Sequence, residues 1–184
     1  MKYLLTHFAA LVLASCAPKF SVVQSTNSKI ADPKTQELYV GKNNTITTST
    51  NKVSLNPMVN KDKSLNKIQK SGIVLSSIAK SDYVFGEIKK VEITSAYGST
   101  YNLNAIEYSA APQWIWRNDS QINTGDTLET CYLTMSQDDM GKLINSGIQS
   151  VRVEGQKRNI TLMNDQIPTS FIENLRNFQS GYLN

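Results

Sequence analysis

The chain has 184 residues, 40% of them hydrophobic, and a formal net charge of +4, which suits one domain of moderate size with appendages. Its charge is uneven: residues 17–70 hold nine Lys against three acidic residues, and residues 71–184 hold nine Lys and Arg against twelve Asp and Glu. With one His and two Cys, the composition excludes a Cys-rich metal site and a disulfide framework.

The first sixteen residues have the pattern of an export signal. Lys2 supplies a positive start, and residues 3–14 are largely apolar. This run is shorter than the ~20 apolar residues that a membrane-spanning helix needs, so it predicts a signal peptide over residues 1–15. The run ends in Leu13-Ala14-Ser15-Cys16.

That tetrapeptide resembles the lipobox of bacterial lipoproteins: an apolar residue, two small residues and a Cys. In that family the Cys thiol receives a diacylglycerol, the signal is cut before it, and the new amine is acylated. The resemblance therefore implies lipid attachment at Cys16 and a membrane as partner; the alternative is an ordinary cleavage site. By the sorting rule of enterobacterial lipoproteins, Ala17 in place of Asp implies the outer membrane of the cell envelope.

Residues 16–70 are rich in Asn, Ser, Thr and Lys. Such a segment buries too little apolar surface to offset its ordering entropy, so we predict a lipid-anchored flexible tether. The one structured stretch that the pattern suggests is a hairpin over residues 38–47, around a Gly/Asn-rich turn.

Residues 71–184 read as a single folded domain. A phase slip predicts a bulge at Lys89-Lys90, and Ser136 is a candidate N-cap of a helix that stops at Gly147. The predicted elements are strands at Tyr83–Thr94, Tyr101–Tyr108, Trp114–Arg117 and Leu128–Met135, the Ser136 helix, a hairpin of Ile148–Val153 with Asn159–Met163, and a helix over Pro168–Phe178. The predicted fold class is α+β: an antiparallel sheet of about five to six strands packed by two helices, preceded by a disordered polar tether.

Catalytic chemistry is narrowly limited. The only His is His7, inside the predicted signal, so the mature chain lacks the His of Ser-His-Asp and Cys-His enzymes and of most catalytic zinc sites. With Cys16 lipidated, Cys131 stands alone and suits a buried apolar role. No phosphate-binding glycine loop or dinucleotide fingerprint is present, so we expect no cofactor, no metal and no catalytic residue.

One enzymatic alternative needs only two carboxylates in a cleft, as in a glycan hydrolase. The candidates are Glu87, Glu92, Glu107, Asp119, Asp126 and Glu129, whose spacing surface charge explains equally well.

The most suggestive local motif is Trp114-Ile115-Trp116. Residues two apart in a strand share a face, so Trp114 and Trp116 would form a platform on which sugar rings stack, with Tyr108 as a third wall. The alternative is that both indoles cover the core, since indole is mostly buried in small domains.

The leading hypothesis is an exported, lipid-anchored envelope protein with a non-enzymatic role in binding another protein or a surface polymer. Its alternative is a glycan-binding module that uses Trp114, Trp116 and Tyr108. Nucleic acid is not an expected partner, because the lysines are evenly spread without interleaved aromatics.

Overall fold

The structure is a computed structural model that describes residues 19–117 and 120–183, without the side chains of Trp116 and Arg117. The predicted signal peptide and Cys16 lie outside the described residues. The strands are β1 (Ser21–Ser25), β2 (Gln36–Lys42), β3 (Thr45–Thr47), β4 (Asn51–Asp62), β5 (Ile68–Lys80), β6 (Ile88–Ser95), β7 (Thr100–Arg117), β8 (Ser120–Thr134), β9 (Ile148–Gly155) and β10 (Asn159–Met163), and the α-helices are α1 (Gln137–Ser146) and α2 (Thr169–Phe178).

Within the described residues the strands form one ten-stranded sheet, and every pairing is antiparallel. The order is β1-β2-β4-β5-β8-β7-β6-β9-β10, with β3 paired to β4 beyond the end of β2. The predicted α+β fold with about five to six strands is therefore wrong. The chain is mainly a large antiparallel sheet with two short helices.

The predicted tether over residues 16–70 is also wrong where the structure describes it, because β1 to β4 and the start of β5 lie there. The average composition is polar, but strand alternation places the few apolar residues on buried faces. Val53, Leu55 and Val59 of β4 are fully buried in the main core, while Met58 on the opposite face joins a second, smaller core. Pairing with β5 supplies the partner that the segment lacks by itself.

The predicted hairpin over residues 38–47 is replaced by a different connection. β2 and β3 follow each other in the chain, but each pairs with β4. Asn44 makes this possible: it is fully buried, its side-chain amide donates to the Leu55 carbonyl (3.0 Å), and its backbone N–H donates to the Asn56 side chain (3.1 Å). The Gly/Asn-rich turn therefore joins two strands, β2 and β3, that pair with different parts of β4.

Most local predictions for residues 88–178 are confirmed. The Ser136 hydroxyl accepts the Asp139 N–H (3.0 Å) and caps α1, which ends at Gly147 with φ of 76°. The register of β6 against β9 shifts between Ile88 and Lys90, where the bulge was predicted. The short strands expected at Tyr101–Tyr108 and Trp114–Arg117 are parts of one strand, β7, which runs through Pro112.

Both helices pack on one face of the sheet. α1 buries Met140, Leu143 and Ile144, and α2 buries Phe171, Leu175 and Phe178, all in the main core. The residues after α2 pack against this layer: the Tyr182 ring stacks on Phe178 at 5.2 Å and tilts against Tyr39 of β2 at 5.1 Å. Tyr182 therefore contacts a strand of the segment that is predicted to be a tether.

Two leucines of residues 51–65 test this integration. Leu55→Ala removes a fully buried side chain, so we expect it to lower the free energy of unfolding by about 2 to 5 kcal/mol. Leu65→Ala is the matched control, because Leu65 is 70% exposed, and we expect a change within about 0.5 kcal/mol. Urea denaturation of the full chain measures both; equal stabilities would show that this segment is not part of the folded domain.

Candidate functional site

A two-stranded ribbon projects from one end of the sheet. β8 pairs with β5 only as far as Asp126, opposite Lys80, whereas β7 and β8 stay paired to Arg117 opposite Ser120. On the other side, β6 pairs with β7 only from Thr100 to Asn104. Residues 113–117 and 120–125, which we call the arm, therefore extend beyond their neighbours in the sheet.

An irregular register marks the base of the arm. Between Pro112 and Trp114 the pairing shifts, and Gly125 has φ of 77°, a conformation that favours glycine. The Asn123 side chain accepts the Gly125 N–H (2.8 Å), and the Thr124 hydroxyl donates to the Gln113 carbonyl (3.3 Å). This bulge has its own hydrogen bonds, so the direction of the arm is set by local structure.

The arm carries exposed apolar side chains on both faces. Ile115 lies directly opposite Ile122, and each is 42% exposed. Trp114, opposite Asn123 on the other face, is 54% exposed. No second layer packs on either face among the described residues, so these side chains are left to solvent. The backbone of Trp116 pairs with that of Gln121. The structure does not describe the Trp116 side chain.

Tyr108 belongs to the root of the arm rather than to its tip. It is half-buried against the main core, and its hydroxyl donates to the Glu129 carboxylate (2.8 Å). The other Glu129 oxygen accepts the Phe85 N–H (2.9 Å), and Glu129 is fully buried. Burial, together with the hydrogen bond to Glu129, raises the pKa of Tyr108 well above its usual value. These hydrogen bonds connect Tyr108 on β7 and Glu129 on β8 to Phe85, in the segment that precedes β6.

The structure does not bring the three aromatic candidates together. Tyr108 and Trp114 lie six residues apart on one strand, a separation of about 20 Å at 3.3 Å per residue. A sugar stacked on Trp114 would not reach the Tyr108 ring, whose hydroxyl is already paired. Sequence reasoning found Trp114 but missed Ile115 and Ile122, because alternation alone does not tell which face of a strand is covered.

Cys131 and two of the acid candidates also have structural roles. Cys131 is buried and unpaired, and burial raises the pKa of its thiol to about 12, so the thiol stays protonated at neutral pH. Glu92 pairs with Lys90 (2.9 Å), and Glu107 pairs with Lys29 (3.2 Å). Asp119 lies outside the described residues.

A groove of about 680 Å³ lies at the start of α1, at the opposite end of β7 and β8 from the arm. Its walls are mainly neutral and polar, with Asp139 as the one carboxylate and Lys70 as the one cation among its described residues. The Ser71 hydroxyl there donates to the Met135 carbonyl (2.7 Å). This groove does not assemble the two carboxylates of a glycan hydrolase.

Comparison with protein-family models, with curated proteins and with solved structures finds no match for this chain. In the part of the chain that the structure describes, no group of three or more His, Cys, Asp or Glu side chains is arranged to hold a metal ion. None of the described helices is long and apolar enough to cross a membrane. The arm is therefore the strongest candidate site.

The root network predicts a pH dependence. The pKa of Tyr108 is higher in the folded protein than its usual value of 10. The protonated hydroxyl therefore stabilises the fold fully below pH 10, and this contribution is lost as the pH rises above that value. Tyr108→Phe should cost about 1 kcal/mol at neutral pH and flatten the loss of stability in alkali. Denaturation from pH 7 to 11 checks this, with exposed Tyr97→Phe as control; an unchanged alkaline slope would contradict it.

Proposed function

We propose that this chain is an exported, lipid-anchored protein of the bacterial cell envelope that acts by binding rather than by catalysis. The arm, residues 113–117 and 120–125, is its binding element. The single observation that carries the proposal is the exposure of Trp114, Ile115 and Ile122 on a ribbon without a covering layer.

The anchor rests on the lipobox resemblance at Leu13-Ala14-Ser15-Cys16. Its position relative to the fold is compatible with this role, because only residues 17–20 separate Cys16 from β1. Three acyl chains on this residue, at ~0.8 kcal/mol per buried CH₂, would hold the domain permanently at a membrane.

The binding role rests on the energetics of the arm. Exposed apolar residues scattered singly are ordinary, but Ile115 and Ile122 lie opposite each other on one face of this thin ribbon, with Trp114 on the other face, so both faces are solvated poorly. A two-stranded ribbon is marginally stable by itself, and its apolar side chains add nothing to a core. A partner that covers them supplies the missing burial.

A glycan is the second candidate partner, favoured by the exposure of Trp114 next to the amide side chains of Gln113 and Asn123. Tyr108 lies too far from Trp114 to contact a sugar ring that stacks on the Trp114 indole. A glycan therefore explains Trp114 but does not explain the Ile115–Ile122 pair on the opposite face.

The anchor is tested by Cys16→Ser in the full chain. We expect this variant to carry no radiolabelled palmitate and to leave the membrane pellet for the soluble fraction, because the acylated residue is gone. Cys131→Ser is the matched control and should stay acylated and membrane-bound. Palmitate incorporation into Cys16→Ser would contradict the proposal.

Occupancy of the arm is tested with single cysteines at Ile115 and at Tyr97, an exposed residue in the β6–β7 turn at the other end of β7 from the arm. If a partner covers the arm nine-tenths of the time, a maleimide should label Ile115→Cys about tenfold more slowly in native membranes than in purified protein. Tyr97→Cys should label equally in both. Equal rates at Ile115→Cys would show that the arm is free and would contradict its binding role.

A further inference from the structure

We infer that the arm rests on the surface of the same bilayer that holds the lipid on Cys16, so that the domain has two membrane contacts. This inference rests on the proposed lipid anchor. It commits the arm to a lipid surface as partner, and it follows from where the chain enters the fold, how far each element reaches, and which side chains lie between them.

The chain enters the sheet pointing toward the end that carries the arm. β1 runs antiparallel to β2, with Ser21 opposite Lys42, so the residues before Ser21 continue past Lys42. The Asn43 side chain donates to the Lys19 carbonyl (2.9 Å) and holds this entry beside the β2–β3 connection. β3 and the β3–β4 turn lie further along in the same direction.

The entry point and the root of the arm belong to one continuous surface. Two neighbouring depressions share Thr47 and Lys52 in their walls. One of them also contains Lys19 and Phe20, and the other contains Lys80 and Asp126, the pair where β8 leaves β5. We call this surface, formed by residues 19–20, 47–52, 78–83 and 126, the anchor end.

The arm reaches at least as far from the anchor end as the lipid can. At most about 3.4 Å per residue, the three steps from Lys19, which lines the anchor end, back to Cys16 span about 10 Å. The four steps from Gln113 to Arg117 span about 13 Å at 3.3 Å per residue. A lipid on Cys16 therefore cannot hold the membrane farther from the anchor end than Arg117 of the arm extends.

The side chains suit an interface between lipid and water. Trp is enriched at the headgroup level of membranes, and aliphatic side chains such as Ile115 and Ile122 insert at the boundary with the acyl chains. The anchor end holds three lysines, Lys19, Lys52 and Lys80, against the two carboxylates of Asp82 and Asp126. This excess of positive charge favours anionic headgroups.

The chain supplies its own reporter, because its two Trp residues, Trp114 and Trp116, both lie in the arm. The experiment places the lipidated full chain in vesicles of phosphatidylethanolamine and phosphatidylglycerol, with and without brominated acyl chains, and records Trp emission. Side chains at the headgroup boundary lie within reach of bromine, so we expect brominated vesicles to remove about half of the emission.

Paired variants link the signal to the arm. Ile115→Asn with Ile122→Asn should restore most of the emission in brominated vesicles while both indoles are kept. Tyr97→Asn, at the other end of the domain, should leave the quenching unchanged. Both variants replace exposed side chains, and equal thermal unfolding midpoints establish that the fold is intact.

The outcomes separate the inference from the proposed function. Protein that floats with the vesicles but is not quenched by bromine overturns the bilayer contact and leaves the anchor in place. In that case, slow maleimide labelling of Ile115→Cys in native membranes would show that a protein or a glycan covers the arm instead. Protein that carries no lipid and does not float overturns the proposed anchor together with the inference.

Discussion

The pairing of β4 with β5 is the interaction on which the rest of the structure depends. Its register runs from Asn51 opposite Ala79 to Lys61 opposite Ile68 and places Leu55 against Leu75 in the main core. Among the described strands, β1, β2 and β3 join the rest of the sheet only through β4. On the other side, β6, β7, β9 and β10 connect to β4 only through β8 and β5. Without this pairing the polar N-terminal strands would lack an apolar partner, and the main core on which both helices pack would lose Val53, Leu55 and Val59.

The same pairing connects the N-terminal strands to the arm. It carries the N-terminal strands to the end of the sheet at which β8 leaves β5, near Lys80 and Asp126. Beyond that point the described residues of β7 and β8 pair only with each other. The hydrogen bonds of the buried Glu129 carboxylate with the Tyr108 hydroxyl and the Phe85 N–H hold the base of the arm in place. The arm is therefore a rigidly rooted projection, and its exposed Trp114 is held away from the core by the strand that carries it.

The predictions from sequence succeeded where short-range chemistry decides. The cap at Ser136, the stop at Gly147 and the bulge near Lys89 depend on residues a few positions away. They failed where a segment's partner is distant: residues 21–62 were judged by average polarity, although Val53 and Leu55 alternate in the way of a half-buried strand. For the arm, the sequence pointed to Trp114 but did not reveal Ile115 and Ile122 as a pair.

By itself, the sequence determined which chemistry the chain lacks and where its local elements begin and end. Its one His, at position 7, leaves residues 16–184 without imidazole chemistry in any fold. Only the tertiary structure decided that the segment from Ser21 to Asp62 is folded and that Trp114 is exposed. The physical reason is that caps and turns form from local hydrogen bonds, whereas burial depends on which distant strand or helix covers a face, and for the arm none of the described elements does.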